Sequence, residues 1–210
     1  MLKASIDKKD KDFISYGLND FVVSNGESHR MLISEVFVNE SRVAEYRSDG
    51  LIVSTPTGST AYSLSSGGPI IAPDVESFVI TPISAHSLTS RPLVVSNKSE
   101  VLIKFSNYNQ NITLITDGQL HESVDSIDTV SITNSNFEIG LIDFKDSDYF
   151  QTLRTKMGWG TRGDGESWKW DYFLANRFLI TYPAMFGFSF NLLSEYSYQS
   201  GPYGTYTLTL

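Results

Sequence analysis

Apolar and polar positions along this chain alternate over short stretches far more often than they recur at helical spacing. Seven β-branched or aromatic runs stand out: DFVVS (20–24), MLISEVFV (31–38), LIVST (51–55), SFVITPI (77–83), EVLIKF (100–105), ITLITD (112–117) and TVSITN (129–134). Each is the length of one strand and is rich in residues that suit a pleated, half-buried surface. Between them fall turn formers, including Ser24-Asn25-Gly26, Asn39-Glu40-Ser41, Ser106-Asn107-Tyr108-Asn109 and Asp117-Gly118. Such punctuation favours tight reversals, so the pattern predicts a mainly β, mainly antiparallel domain with a few short helices.

Two segments read as helix. STAYSLSSGG (59–68) offers hydroxyl residues to cap its start, and Gly67-Gly68 followed by Pro69 to stop it. DSDYFQTLRTKMGW (146–159) places Tyr149, Leu153 and Met157 four apart on one face, with Asp146 or Ser147 as the N-cap. Beyond Gly160 the texture changes. Thr161-Arg162-Gly163-Asp164-Gly165 is loop-like, and the pattern then alternates with period two: Phe186, Phe188, Phe190 and Leu192, then Tyr196 and Tyr198, then Tyr206, Leu208 and Leu210, around Gly201-Pro202-Tyr203-Gly204. A boundary is therefore expected near 160, dividing 1–160 from an aromatic, β-prone tail over 161–210. That tail is open to three readings: an added hairpin, a piece of membrane β-barrel, or a mis-joined reading frame. A packed soluble tail is the default, since two or three strands cannot close a barrel.

Composition narrows the function classes. A chain of 210 residues with 40% hydrophobic and 19% charged residues can bury a real core. A net charge of -8, with no Lys/Arg run longer than Lys8-Lys9, argues against a nucleic-acid partner. The absence of Cys removes disulfides and thiolate metal sites, and the three His lack metal spacing. No metal ligands are assigned. MLKASIDKKDKDF lacks the apolar core of a signal peptide, and no run of about eighteen apolar residues could span a bilayer as a helix. The expected location is the cytoplasm, with no membrane partner; there the sequons at Asn39, Asn97 and Asn111 go unused.

The stretch that carries chemistry is DGLIVSTPTGSTAYSLSSGGP, Asp49 to Pro69. An apolar strand runs into small hydroxyl and Gly residues, and such a segment exposes N–H and O–H groups to phosphates or ribose hydroxyls. By composition alone it is also an ordinary Ser/Thr/Gly loop. As a string, however, it resembles the long signature of NAD kinases. Three further pieces fit that family in order and spacing: Leu18-Asn19-Asp20 resembles its Asn-Glu/Asp pair; Ser84 to Leu93 resembles the segment around its Arg-Pro pair; Thr116-Asp117-Gly118-Gln119 resembles its Asp-Gly-Gln turn. Leu153 to Gly160 is similar to the closing helix of bacterial members. The chain is thus identified as resembling the C-terminal domain of NAD kinases over about residues 1–160.

That resemblance implies a β-sandwich domain and transfer of a γ-phosphoryl group, from ATP or polyphosphate, to the 2′-hydroxyl of the adenosine ribose of NAD, giving NADP. It implies Mg²⁺ or another divalent cation accompanying ATP, and assembly as a homodimer or tetramer. The residues it implies for NAD binding are Asn19, Asp20, Asp49, Thr57, Thr60, Ala61, Tyr62 and Ser65. Asn19 and Asp20 would hydrogen-bond the dinucleotide. Tyr62 would stack on a base or reach a phosphate, Ala61 would leave room for the ligand, and Asp49 would accept from an exocyclic amine or ribose, within the chain or across a subunit boundary. The family also has an α/β domain whose Gly-Gly-Asp-Gly loop supplies the catalytic Asp. MLKASI resembles a strand already inside the C-terminal domain, so that loop is expected to be missing and no catalytic residue is assigned. Arg162-Gly163-Asp164-Gly165 follows the closing helix and reads as linker. His86 is expected to be packed or hydrogen-bonded, because phosphoryl transfer needs no imidazole here. The Asp-Gly pairs at 49 and 117 suit hairpin turns as well as a site, and for Asp117 both readings stay open. A non-catalytic dinucleotide-binding or oligomerisation module is the alternative function; a relative of the lipid kinases is a third, which the intact Asn19-Asp20 and STPTGSTAYS argue against.

Overall fold

The computed structural model describes residues 1–8, 12–26, 31–87, 89–106, 112–140, 148–158, 197–199 and 205–207. Up to residue 134 the chain is a β-sandwich, as the resemblance implies. One sheet contains β1 (Leu2–Asp7), β2 (Phe13–Gly17), β4 (Leu32–Val38), β5 (Ser41–Ser48), β9 (Val101–Phe105) and β12 (Thr129–Asn134), in the order β2-β1-β12-β9-β4-β5. The second contains β3 (Asp20–Ser24), β6 (Gly50–Ser54), β7 (Ser77–Ile83), β8 (Leu93–Ser96), β10 (Ile112–Thr116) and β11 (Leu120–Val124), in the order β11-β10-β3-β6-β7-β8. Every pairing is antiparallel. All seven apolar runs are strands to within a residue or so at either end.

The alternation builds the core directly. Ile6, Leu32, Val36, Ile103 and Ile132 point inward from the first sheet and meet Phe21, Val23, Leu51, Val53, Phe78 and Leu114 from the second. Turn chemistry closes the hairpins. Asn39 and Glu40 join β4 to β5 with φ of 49° and 67°, and Asp117 and Gly118 join β10 to β11 with φ of 48° and 68°. Positive φ at both central residues matches the right-handed twist of the strands.

The second sheet is buried on both faces where it matters. On the side away from the sandwich core, Val22, Ile52 and Val79 are buried together with Ala61, Ile71 and Leu153. The cover is the segment after β6 and a later helix, α2 (Tyr149–Met157), whose Tyr149 hydroxyl lies 3.4 Å from the Ile71 carbonyl. Fully burying one such side chain contributes about 1.5–3 kcal/mol. This second layer therefore holds the 55–72 segment firmly on β3, β6 and β7.

Three expectations change. The helix at 59–68 is instead a 3-10 turn (Thr57–Thr60) and a single turn of α-helix, α1 (Tyr62–Ser65), separated by Ala61 at φ -92° and ψ -132°. No hydroxyl caps either piece. The hydroxyls bond elsewhere: Ser59 accepts from the Ile71 N–H at 3.0 Å, Thr60 donates to the Thr57 carbonyl at 3.1 Å, and Ser63 pairs with Thr81 of β7 at 2.9 Å. The cap of α2 is Asp148, which accepts from the Phe150 N–H at 2.9 Å, in place of Asp146 or Ser147. Of the tail, β13 (Ser197–Gln199) and β14 (Thr205–Thr207) pair antiparallel with Tyr198 opposite Tyr206, in line with the alternation there. The alternation over 186–192 and the Gly201–Gly204 turn lie outside the described residues.

Candidate functional site

The residues singled out at 19–20 and 57–65 gather at one end of β3 and β6, where Asp20 pairs with Ser54, whereas Asp49 precedes β6 at the other end of that ladder, where Gly50 pairs with Ser24. Leu18 and Asn19 form the bend entering β3, and the Pro56–Ala61 loop leaves β6 beside it. Two small residues lock the segments together. The Thr55 hydroxyl donates to the Leu18 carbonyl at 2.8 Å and accepts the Gly58 N–H at 2.9 Å, while the Thr55 N–H reaches the Asn19 carbonyl at 2.8 Å. Gly58 lies so close to this bend that a Cβ added there would stand 2.0 Å from the Asn19 carbonyl oxygen. Only glycine allows that approach.

From the other side the bend is held by Asp117. Its carboxylate accepts the N–H groups of Leu18, Asn19 and Asp20 at 2.8, 2.8 and 3.1 Å, and its own N–H returns to the Asp20 carbonyl at 3.0 Å. Charge-assisted bonds of this kind are stronger than neutral ones. Asp117 is thus both a hairpin-turn residue and the anchor of the Asn19-Asp20 bend, which joins the two readings left open for it.

Asp20 is 4% exposed, and its pKa is raised to about 7, first by burial and then by the charge of Asp117. Asn19 is also buried, and its side-chain carbonyl oxygen has no hydrogen-bond partner. Tyr62 opens α1 with its ring exposed. Partial burial raises its phenol pKa above the ordinary value, and the Asp20 and Asp49 carboxylates push the same way. Those two charges act on one phenol, so Asp20, Asp49 and Tyr62 share an electrostatic neighbourhood. Asp49 itself sits exposed in the turn between β5 and β6, its N–H bonded to the Ile83 carbonyl at 2.9 Å.

The remaining candidates are placed less tightly. Thr57 and Thr60 are half-buried at the two ends of the 3-10 turn, Ala61 is buried behind Tyr62, and Ser65 is exposed at the end of α1. His86 is exposed, and its N–H bonds to the Arg47 carbonyl at 2.9 Å. Thr55 and Gly58, which shape the site, lie inside the signature string without having been marked; their spacing from Asn19 depends on strand register, which the string does not display. A separate open groove of about 350 Å³ runs between β5 and residues 87–93, lined by Tyr46, Arg91, Pro92 and Leu93 among others, and none of the candidate residues borders it.

Chemically the site is rich in acceptors: the Asn19 carbonyl oxygen, two carboxylates and the loop hydroxyls. It suits a ligand that offers hydroxyl or amine donors and a flat ring. Among the described residues, no group of three or more His, Asp or Glu is placed to hold a metal ion. No described helix is long and apolar enough to cross a membrane.

Comparison with known proteins places these residues in context. Residues 18–144 match the model of the ATP-NAD kinase C-terminal domain. The chain is 44% identical over 158 residues to the NAD kinase of Caldanaerobacter subterraneus subsp. tengcongensis, covering 75% of this chain and 56% of that one. It is 42% identical over 149 residues to an NAD kinase of Yersinia pestis, covering 71% and 51%. Among solved structures it resembles yeast NADH kinase complexed with NADH, at a TM-score of 0.70 and 26% identity over 79% of this chain and 49% of that one. It also resembles an NAD kinase from Archaeoglobus fulgidus in complex with ATP, at a TM-score of 0.54 and 29% identity over 65% and 51%. The chain spans about half the length of the curated relatives it matches.

Proposed function

This chain belongs to the NAD kinase family, and on that premise we propose that residues 1–160 form the dinucleotide-recognition half of an ATP-dependent NAD 2′-phosphotransferase. The observation that carries the reading is the meeting of Asn19 and Asp20 with the Thr55–Ser65 segment at one end of the β3–β6 ladder, with the charges of Asp20 and Asp49 both bearing on the Tyr62 phenol. NAD brings ribose hydroxyls and an exocyclic amine to a site made of acceptors, and it brings aromatic rings to the exposed face of Tyr62. Asp20, poised near neutrality, becomes fully charged once ribose hydroxyls donate to it, because a hydrogen bond to the ionised form favours ionisation. Thr57 and Thr60 present hydroxyls at the rim, and Ala61 keeps the wall beside the ring low. Ser65 completes the NAD-facing set.

Among the described residues no carboxylates form a cation cage, and this reading assigns the divalent ion of such a reaction to the phosphates of ATP. The phosphates and the attacking hydroxyl also need a positioning carboxylate. The 210 residues contain no Gly-Gly-Asp-Gly string. With this chain alone, the expected outcome is therefore NAD and NADP binding with little NADP formation. The same reading carries homo-oligomerisation as a dimer or tetramer, to be read by light scattering, and a cytoplasmic location, to be read by fractionation.

The test is isothermal titration of the purified chain with NAD and NADP, beside an assay of NADP formation with ATP and Mg²⁺. Binding with little or no turnover is the expected result and supports dinucleotide recognition by this chain alone, the point on which the recognition-half and non-catalytic-module readings agree. Substantial turnover shows that these residues suffice for catalysis, and no binding at all removes both readings.

A further inference from the structure

Ser54 is fully buried, yet its hydroxyl has no hydrogen-bond partner. It stands directly across from Asp20 in the β3–β6 ladder. Which kind of pair they form follows from the neighbouring residues. The Thr55 N–H bonds to the Asn19 carbonyl, so 19 and 55 are a hydrogen-bonded pair. Pair types alternate along an antiparallel ladder, which makes 20 and 54 the closer, non-hydrogen-bonded kind. Phe21 and Val53 point into the sandwich core, so Asp20 and Ser54 both point to the opposite face, beneath the Pro56–Ala61 loop. Side chains in that relation have Cβ atoms about 4.5–5.5 Å apart, within reach of one hydroxyl rotation.

An orphaned buried hydroxyl costs stability. Its place opposite the acidic residue of the site points to a use. We infer that Ser54 is a positioning residue for Asp20: when Asp20 is ionised, the Ser54 hydroxyl rotates to donate to its carboxylate and fixes the oxygen that faces the ligand. This rests on the dinucleotide-binding reading for its functional meaning, though the contact itself does not require that reading. The other ionisable groups bearing on Asp20 are Asp117 in the β10–β11 turn and Tyr62 on α1, with Asp49 acting on the same phenol. Asp117 opposes its charge, whereas the Tyr62 phenol, its pKa raised, is neutral near pH 7. The Ser54 hydroxyl is the neutral donor that strand register sets directly opposite the carboxyl.

The test uses the full chain with Ser54→Ala, and Ser34→Ala as control. Ser34 is likewise fully buried with an unpartnered hydroxyl, but on β4 of the other sheet. Both variants should match or exceed the melting temperature of the parent at pH 5 without ligand, where Asp20 is protonated and each removes an unsatisfied group. Only Ser54→Ala should move the Asp20 titration midpoint, read from its carboxyl carbon by NMR, upward by about one pH unit. Only Ser54→Ala should weaken NAD binding, by about tenfold at pH 7 and less at pH 9. In an Asp20→Asn background its effect on binding should vanish.

An unmoved Asp20 midpoint overturns the inference, as does a binding loss that persists in the Asp20→Asn background. If the parent chain binds neither NAD nor NADP while the midpoint still moves, the contact stands and the dinucleotide reading fails.

Discussion

Asp20 gathers the opposing demands of the site in one carboxyl group. Burial and the nearby Asp117 raise its pKa to about 7, whereas a free Asp titrates near 3.8. A carboxyl that holds its proton more tightly in the folded chain contributes most to stability at low pH, and that contribution is lost as pH climbs from about 4 to about 7. Asp20→Asn should therefore flatten the fall in melting temperature over that window and raise it at pH 8, while weakening NAD binding by at least tenfold; thermal scans and titrations at pH 5 and 8 check both. Gly58 is the opposite case, a residue whose value is its missing side chain. Gly58→Ala drives a methyl group against the Asn19 carbonyl and should cost about 3 kcal/mol in denaturant unfolding, with binding lost at the same time. At this scale the signature strings single out Asn19, Asp20, Asp49 and Tyr62 by residue type and order. Ser54 and Gly58 act through who stands opposite them, and that is a fact of register rather than of residue type.

The elements show the same division between what pattern reveals and what pairing decides. Five sandwich strands lie outside the seven apolar runs: β1, β2, β5, β8 and β11. The last four are the edges of the two sheets. An edge strand buries little, and the exposure along these four follows: β5 leaves Ser41, Arg42 and Val43 in solvent, and β11 leaves Leu120, His121 and Ser123 there. Charged and polar edges also discourage pairing with stray strands. The split of the expected helix at Ala61 has a related cause, because Ser59 and Ser63 are claimed by Ile71 and Thr81 before they can cap anything. Two connections between elements can be tested directly. Thr55→Val keeps the shape but removes the hydroxyl bond to Leu18 at the β3 entry and the one from Gly58 within the loop, and should lower stability by about 1–3 kcal/mol in urea. Asp117→Asn should cost a similar amount and also lower the titration midpoint of Asp20, since it removes the one charge acting on it; carboxyl NMR reads that directly.

At the largest scale, the described residues up to 158 form a sandwich with a third layer. Residues 55–72 and α2 cover one face of the second sheet, so the site lies between a rigid sheet and a packed loop. A boundary near 160 is our proposal; α2 ends at Met157 with Gly158 in the left-handed region at φ 61°. A chain ending at residue 160 should keep its melting temperature within about 2 °C and bind NAD unchanged; calorimetry and titration of the shortened protein check it.

The Asp117 anchor has a consequence in time as well as in space. The Leu18–Asp20 bend takes its backbone bonds from a carboxylate 97 to 99 positions further along the chain. During synthesis the signature string leaves the ribosome long before the residue that shapes its neighbour. A growing chain stalled before residue 117 would therefore hold every ligand-facing group identified here and still have no pocket to offer. Affinity should switch on late and abruptly, when the β10–β11 turn docks.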